Sequence, residues 1–391
     1  MKFIAVVIAN GFSSEVRAFA NILAERDNTY EPLVLCHVQR NPHSKDRGSA
    51  DEFEGMTKAP MFRFDAGWRR NDDGQRSKIA KVGSWATLHL QLPRLLAVAR
   101  RHRPDVIYSS QQRWDSHLAT VLARALGVHQ VMHLHYTVEP SLGPEVLRRL
   151  RAVSGLVCVS EYIRRQAVES GVAEGRTLVL PNAMHPLPAA ASGGRATLRR
   201  AFGIADDAPV FSFVARLVER KGQVDAIQAF SRVVREVPSA HLLIAGDGPL
   251  GGVLEKLVQE LSLVERVKLL GYRRDVPALL AASDAFVHPS RKEPFGLSIL
   301  EAMAAGLPTI AYREGGPVEV IREGGFLVPS GDVTGLGDAM LRLIRDRDLR
   351  ARMGRIARQD VETRFNPRIE AMRFASFLNS VCSTHPVRYR D

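Results

Sequence analysis

Short β-branched apolar runs that end in Gly, Asn, Ser or Asp alternate with amphipathic stretches along the whole chain, and this alternation restricts the fold more than any other feature. Strands that alternate with helices pair in parallel, because each helix crosses over a sheet face to start the next strand. The clearest strand patterns in the first half are 3–8, 33–37, 106–109, 131–135, 156–160 and 177–180, with a helix at 15–25. The stretch 41–81 is polar and reads as a long, partly mobile loop whose only strand material is 61–64. The second half repeats the logic with strands at 210–214, 241–245, 267–270, 285–288, 309–311 and 326–328. Helices are expected after Gly222, Pro249, Pro294 and Val333.

At 391 residues the chain suits two domains of ordinary size. Residues 186–194, rich in Pro, Ala, Ser and Gly, have linker composition and place the boundary between a first domain at 1–185 and a second at 195–365. The expected class is α/β, with two Rossmann-like domains whose parallel sheets face across a cleft. In such sheets ligands bind at the carboxyl ends of strands, so the loops that leave strands are where chemistry is sought.

Hydrophobic residues at 45% and charged residues at 25% fit a packed globular protein. The longest apolar runs are strand-length, far short of the roughly 20 residues that cross a bilayer. Met1-Lys2 leads directly into a strand pattern without a secretory leader, so a cytoplasmic location is expected. Cys36, Cys158 and Cys382 lie far apart, form no CxxC pair and read as packing residues in a reducing compartment. The net charge of +12 is spread over both halves. No basic run with interleaved aromatics and no nucleic-acid-binding signature is present, which leaves nucleotide phosphates or anionic lipid headgroups as acidic partners. Residues 88–103 mix leucines with Arg94, Arg100, Arg101 and Arg103. They suit a core-packed helix with a basic end better than peripheral contact with the inner face of a membrane.

The most informative segment runs from His288 to Glu301, where Glu293 and Glu301 bracket a strand-to-helix turn. Pro294 suits an early helical position, and the N–H groups of Phe295, Gly296 and Leu297 would then point out of a helix N-terminus that attracts an anion. Spacing alone does not choose between a ligand-gripping pair and a capping carboxylate followed by a solvated helix residue. This segment resembles the glutamate–seven–glutamate signature of retaining glycosyltransferases with the GT-B fold, in particular the large family four. The resemblance spans nearly the whole chain and includes 214–222 (VARLVERKG), 244–249 (IAGDGP), 270–272 (LGY), 301–308 (EAMAAGLP) and 315–320 (GGPVEV).

The resemblance implies a retaining hexosyltransferase that moves a sugar from a nucleotide-diphosphate donor to a hydroxyl acceptor: a glycan, a lipid-linked species or a small molecule. It assigns Arg216 and Lys221 to the donor diphosphate, where fixed cations stabilise the charge that builds on the leaving group. It gives Glu301 to the ribose hydroxyls and Glu293 to the transferred sugar. Gly246 falls in a loop beside the nucleotide and Tyr272 in one along the base. Gly315-Gly316 lies near the donor, and Glu319 is a local anchor. His135 matches the active-site histidine at a strand exit, with His133 two residues earlier as its rival. Gly11 and Ser13 occupy the acceptor and phosphate loop, although this chain carries one glycine where the family has several. Residues 366–385 resemble the helix that crosses back to the first domain.

The sequence identifies no carboxylate nucleophile, so the resemblance implies same-face attack, with the departing diphosphate oxygen taking the acceptor proton. No metal or other cofactor is expected. The one Asp-x-Asp, Asp346 to Asp348, reads as a solvated face within a basic helix, and no His/Cys set has zinc spacing. The alternatives are a nucleotide-sugar epimerase on the same fold and a catalytically idle nucleotide-sugar-binding scaffold.

Overall fold

The computed structural model describes residues 1–8, 14–26, 30–37, 49–65, 78–110, 114–139, 142–187 and 194–384. The chain divides into two compact units, Met1–Ala183 with Pro367–Asp391, and Met184–Asn366.

The first unit runs β1 (Lys2–Ile8), α1 (Ser14–Ala24), β2 (Glu31–His37), α2 (Ser49–Thr57), β3 (Met61–Phe64), α3 (Lys78–His102), β4 (Val106–Ser109), α4 (Trp114–Leu126), β5 (His129–Leu134), α5 (Pro144–Ala152), β6 (Gly155–Cys158), α6 (Glu161–Glu169) and β7 (Thr177–Val179). Its strands form one seven-stranded sheet in the order β3-β2-β1-β4-β5-β6-β7, and every pairing is parallel. The period-two alternation of β1 feeds two cores. Phe3, Ala5 and Val7 pack in one layer with Phe19, Tyr108 and Phe374, while Ile4 and Val6 pack in the other with Leu95 and Leu118.

One expectation changes here. The stretch read as loop contains α2, whose Phe53 is 1% exposed, because one well-anchored aromatic holds a short helix that its polar composition conceals. Within 88–103, Leu88, Leu95 and Ala99 are buried in the core while Leu90, Arg100 and Arg101 face outward, so one face of α3 is packed. Cys36 and Cys158 are buried and form no disulfide, and burial pushes the Cys158 thiol up to about 12, far from the range of a reactive thiolate.

The second unit runs α7 (Gly194–Ala201), β8 (Val210–Val214), α8 (Gln223–Glu236), β9 (His241–Ala245), α9 (Gly251–Glu260), β10 (Val267–Leu269), α10 (Val276–Ala281), β11 (Ala285–His288), α11 (Leu297–Ala304), β12 (Thr309–Tyr312), α12 (Pro317–Val320), β13 (Gly325–Val328), α13 (Val333–Arg345) and α14 (Arg347–Arg364). Its six strands, again all parallel, are ordered β10-β9-β8-β11-β12-β13. At the amino edge of this sheet the guanidinium of Arg199, 1% exposed, donates to the carbonyls of Ala282, Asp206 and Ala208 and to Asp284 Oδ2. Asp284 Oδ2 also accepts the Val210 N–H at 2.8 Å, so one buried ion pair ties α7 to the start of β8.

Asp346 is not inside a helix. It caps α14 by accepting the Leu349 N–H at 2.8 Å, which explains the Asp-x-Asp spacing as a helix start. The final helix, α15 (Pro367–Thr384), packs in the first unit, where the Phe374 ring lies 5.4 Å from that of Tyr108 and 5.9 Å from that of Phe19.

Candidate active site

In the second unit the strand order reverses between β8 and β11, so the loops leaving these strands flank a crevice at the carboxyl edge. The β8 loop ends in a 3-10 turn, Glu219–Lys221, closed by Gly222 at φ 76°. A Cβ on Gly222 would lie 2.0 Å from the Pro289 carbonyl oxygen, so only glycine lets the two loops meet. They are joined by the Arg291 N–H, which donates to the Arg220 carbonyl at 2.8 Å. The Arg291 guanidinium reaches back to Asp225 Oδ2 at 2.8 Å, an oxygen that also accepts the Tyr312 hydroxyl at 2.6 Å. Burial and then this bond to Asp225 raise the Tyr312 pKa, which keeps that donor protonated.

Glu293 stands where the loops meet and is 6% exposed. Its Oε2 accepts from Lys221 Nζ at 2.5 Å and from the Ser290 hydroxyl at 2.7 Å, with His288 Nε2 at 3.4 Å and Arg220 Nη1 at 3.9 Å. Among the described residues none donates to Oε1. Burial works against the charge on Glu293, but the Lys221 ammonium and the His288 hydrogen bond overcome it and hold the carboxyl well below its usual range. From behind, the Gly316 N–H donates to the Glu293 carbonyl at 2.8 Å, and a Cβ on Gly315 would come within 2.4 Å of that oxygen. The Gly315-Gly316 pair therefore serves as a seat for the glutamate loop.

The helix after this loop begins later than expected. Gly296, with φ 99°, is the N-cap of α11 and Leu297 its first residue, so Pro294 and Phe295 precede the helix. The left-handed turn at Gly296 sends Phe295 inward, where it is 4% exposed and packs edge-on against Phe365 at 5.8 Å. Glu301 is accordingly the fifth helical residue, a little over one turn in, and is half-buried.

Arg216 is exposed directly after β8, and its guanidinium has no acceptor among the described residues. Its carbonyl is held by Gln223 Nε2 at 2.8 Å. Gly246 donates its N–H to the Gly271 carbonyl at 2.8 Å, which sets the β9 loop beside the turn that carries Tyr272, 61% exposed. The Glu319 carbonyl accepts from Arg364 Nη2 at 2.5 Å at the end of α12.

In the first unit, His133 and His135 have different settings. His133 lies within β5, shares a 2.6 Å hydrogen bond with the Tyr108 hydroxyl, and is held well below its usual pKa by burial and then by His135. His135 is buried just past the strand end, its ring 4.0 Å from that of His133. Gly11 and Ser13 lie outside the described residues.

The sequence assigned no role to His288, Ser290 or Arg220. The available signal for His288 and Ser290 was their place from the end of β11 up to Glu293, and for Arg220 its position beside Lys221. Among the described residues no group of three or more His, Cys, Asp or Glu is arranged to hold a metal ion, and no helix is long and apolar enough to cross a membrane.

Residues 194–360 match the profile of glycosyl transferases group 1, and residues 17–186 match that of glycosyltransferase family 4. The lipopolysaccharide core biosynthesis glycosyltransferase LpsD of Rhizobium meliloti (strain 1021) is 32% identical over 276 residues, 70% of this chain and 74% of that protein. The N-acetyl-alpha-D-glucosaminyl L-malate synthase of Bacillus anthracis is 40% identical over 170 residues, which are 43% of this chain and only 44% of that protein's length. In three dimensions the crystal structure of Anabaena HepE in complex with UDP and glucose superposes with a TM-score of 0.80 at 22% identity, covering 97% of this chain and 100% of that one.

Proposed function

This chain belongs to the group 1 glycosyl transferases of family 4 and has their GT-B fold, and from that premise we propose that it is a retaining, metal-independent hexosyltransferase. It moves a sugar from a nucleotide diphosphate to a hydroxyl acceptor. The observation that carries this reading is the state of Glu293: a buried, ionised carboxylate with Oε2 occupied by donors and Oε1 taking none from the described residues. Such an oxygen is an acceptor for a sugar hydroxyl.

Lys221 and the exposed Arg216 supply fixed positive charge for the diphosphate, and the N-terminus of α11 adds a partial one. The acceptor oxygen bonds to the anomeric carbon on the face from which the diphosphate departs. The bond from that carbon to the diphosphate oxygen breaks, and this oxygen takes the acceptor proton. His135 is assigned to the donor sugar, Glu301 to the ribose, and Gly246 and Tyr272 to the nucleotide. A relative whose crystal structure holds UDP-glucose makes uridine diphosphate the first nucleotide to test. The name of the Rhizobium relative LpsD, a lipopolysaccharide core biosynthesis glycosyltransferase, supports a glycan as acceptor.

A thermal-shift series with UDP, GDP and ADP tests the donor assignment, since a ligand that binds only the native state raises its stability by mass action. One nucleotide should raise the midpoint of the second unit. No shift with any of them at millimolar concentration contradicts the reading.

A further inference from the structure

His288 is the last residue of β11 and is 1% exposed. Its ring is held between two aromatics, Phe213 at 5.6 Å and 30° and Phe286 at 6.0 Å and 12°. Both of its nitrogens have partners at the site: Nε2 lies 3.4 Å from Glu293 Oε2, and Nδ1 lies 3.4 Å from the hydroxyl of Ser298, the second residue of α11. With the ring plane fixed by packing, the remaining variable is where the proton sits. A carboxylate accepts only, so the proton belongs on Nε2, and the Ser298 hydroxyl then donates to Nδ1.

We propose that His288 is the positioning residue of Glu293: its Nε2–H, with Lys221 and Ser290, saturates Oε2 and fixes the carboxylate plane so that Oε1 is the oxygen offered to the transferred sugar. The inference rests on the glycosyltransferase reading for the identity of the ligand, but the hydrogen bond itself does not. Burial keeps the imidazole neutral, an effect reinforced by Lys221 and Arg220 and opposed by Glu293. In the neutral ring Nδ1 accepts from the Ser298 hydroxyl, whereas a charged ring would donate from both nitrogens and reverse that hydrogen bond. The strand, the glutamate loop and α11 are thereby linked through one side chain, so an error in any of them would misdirect Oε1. Misplacement of a reacting group by about 1 Å costs on the order of a hundredfold in rate.

Two measurements on the full chain test this. Nitrogen-15 NMR of histidine-labelled protein, with the His288 signals assigned by their loss in His288→Gln, should show a neutral ring protonated on Nε2. Turnover and nucleotide affinity are then compared for His288→Phe, which keeps the aromatic slot filled, and His288→Gln, whose Nε2 amide reaches the same place. Phe should lower kcat about tenfold or more while leaving the nucleotide Kd within about twofold, and Gln should recover most of the loss. A ring protonated on Nδ1, or a Phe variant with wild-type kcat, overturns the proposal. Should the wild-type protein transfer no sugar while the Nε2 proton is present, the catalytic reading fails and the hydrogen bond stands. If the Phe variant does not fold, the tautomer and the Gln variant still decide.

Discussion

Lys221 Nζ and Glu293 Oε2 stand 2.5 Å apart although 72 positions separate the residues in sequence. Each side chain is largely withdrawn from solvent, at 14% and 8% exposure, so the pair is screened little. It brings a cation suited to the departing diphosphate against the carboxylate proposed to hold the sugar.

Replacing Lys221 with Met keeps the bulk and removes the charge. Glu293 is then left buried with neutral donors and a distant Arg220, which should cost up to about 3 kcal/mol in urea unfolding of the second unit. Nucleotide affinity and turnover should both fall, because the same ammonium is proposed to stabilise the diphosphate. Full retention of nucleotide affinity would separate Lys221 from the phosphates.

Acid should weaken the second unit through Glu293. Its folded pKa lies well below the ordinary 4.5, so between those two values the unfolded chain binds the extra proton and stability rises with pH. The contribution is complete above about pH 4.5 and is lost as pH falls through the folded value. Glu293→Gln should flatten this arm of a stability-versus-pH curve, and an unchanged acid slope would contradict the assignment.

Gly222→Ala should damage the site through the backbone alone. The new methyl carbon meets the Pro289 carbonyl at 2.0 Å and occupies a left-handed residue, and the strain alone costs on the order of 1–3 kcal/mol. A lowered denaturation midpoint together with weaker nucleotide binding is expected, since the loops of Lys221 and Glu293 must part.

Asp284→Ala provides the contrast at the opposite sheet edge. It strands the buried Arg199 guanidinium among carbonyl acceptors and should destabilise by about 3 kcal/mol. Where the variant remains folded, nucleotide Kd should match the wild type, and a large change would show that the two edges are coupled.

The strand positions and the Glu293 segment were legible because both are local. Alternating apolar residues declare the parallel strands, and β4, β8, β9 and β11 begin and end as the pattern predicts. Three-dimensional closure was not legible. The sequence places Lys221 and Glu293 in separate loops, and their contact depends on Gly222 admitting a carbonyl from the other loop. The start of α11 was misjudged because Pro294 favours a helix start while the left-handed Gly296 postpones it. Helix α2 was missed because its polar residues outweigh Phe53, whose burial depends on the rest of the first unit. His288 carried no periodic signal that distinguishes a packed histidine from one that orients a carboxylate.

The central claim is that Glu293 Oε1 accepts from the transferred sugar, and Glu293→Gln tests it most directly. The amide oxygen should face Lys221, which turns an N–H pair toward the position of Oε1 and changes an acceptor into a donor with little change in shape. Steady-state turnover with the preferred nucleotide sugar, paired with the Kd of the free nucleotide, should show kcat reduced about a hundredfold and Kd within about threefold. Wild-type turnover, or a loss of nucleotide affinity as large as the loss of kcat, would contradict it.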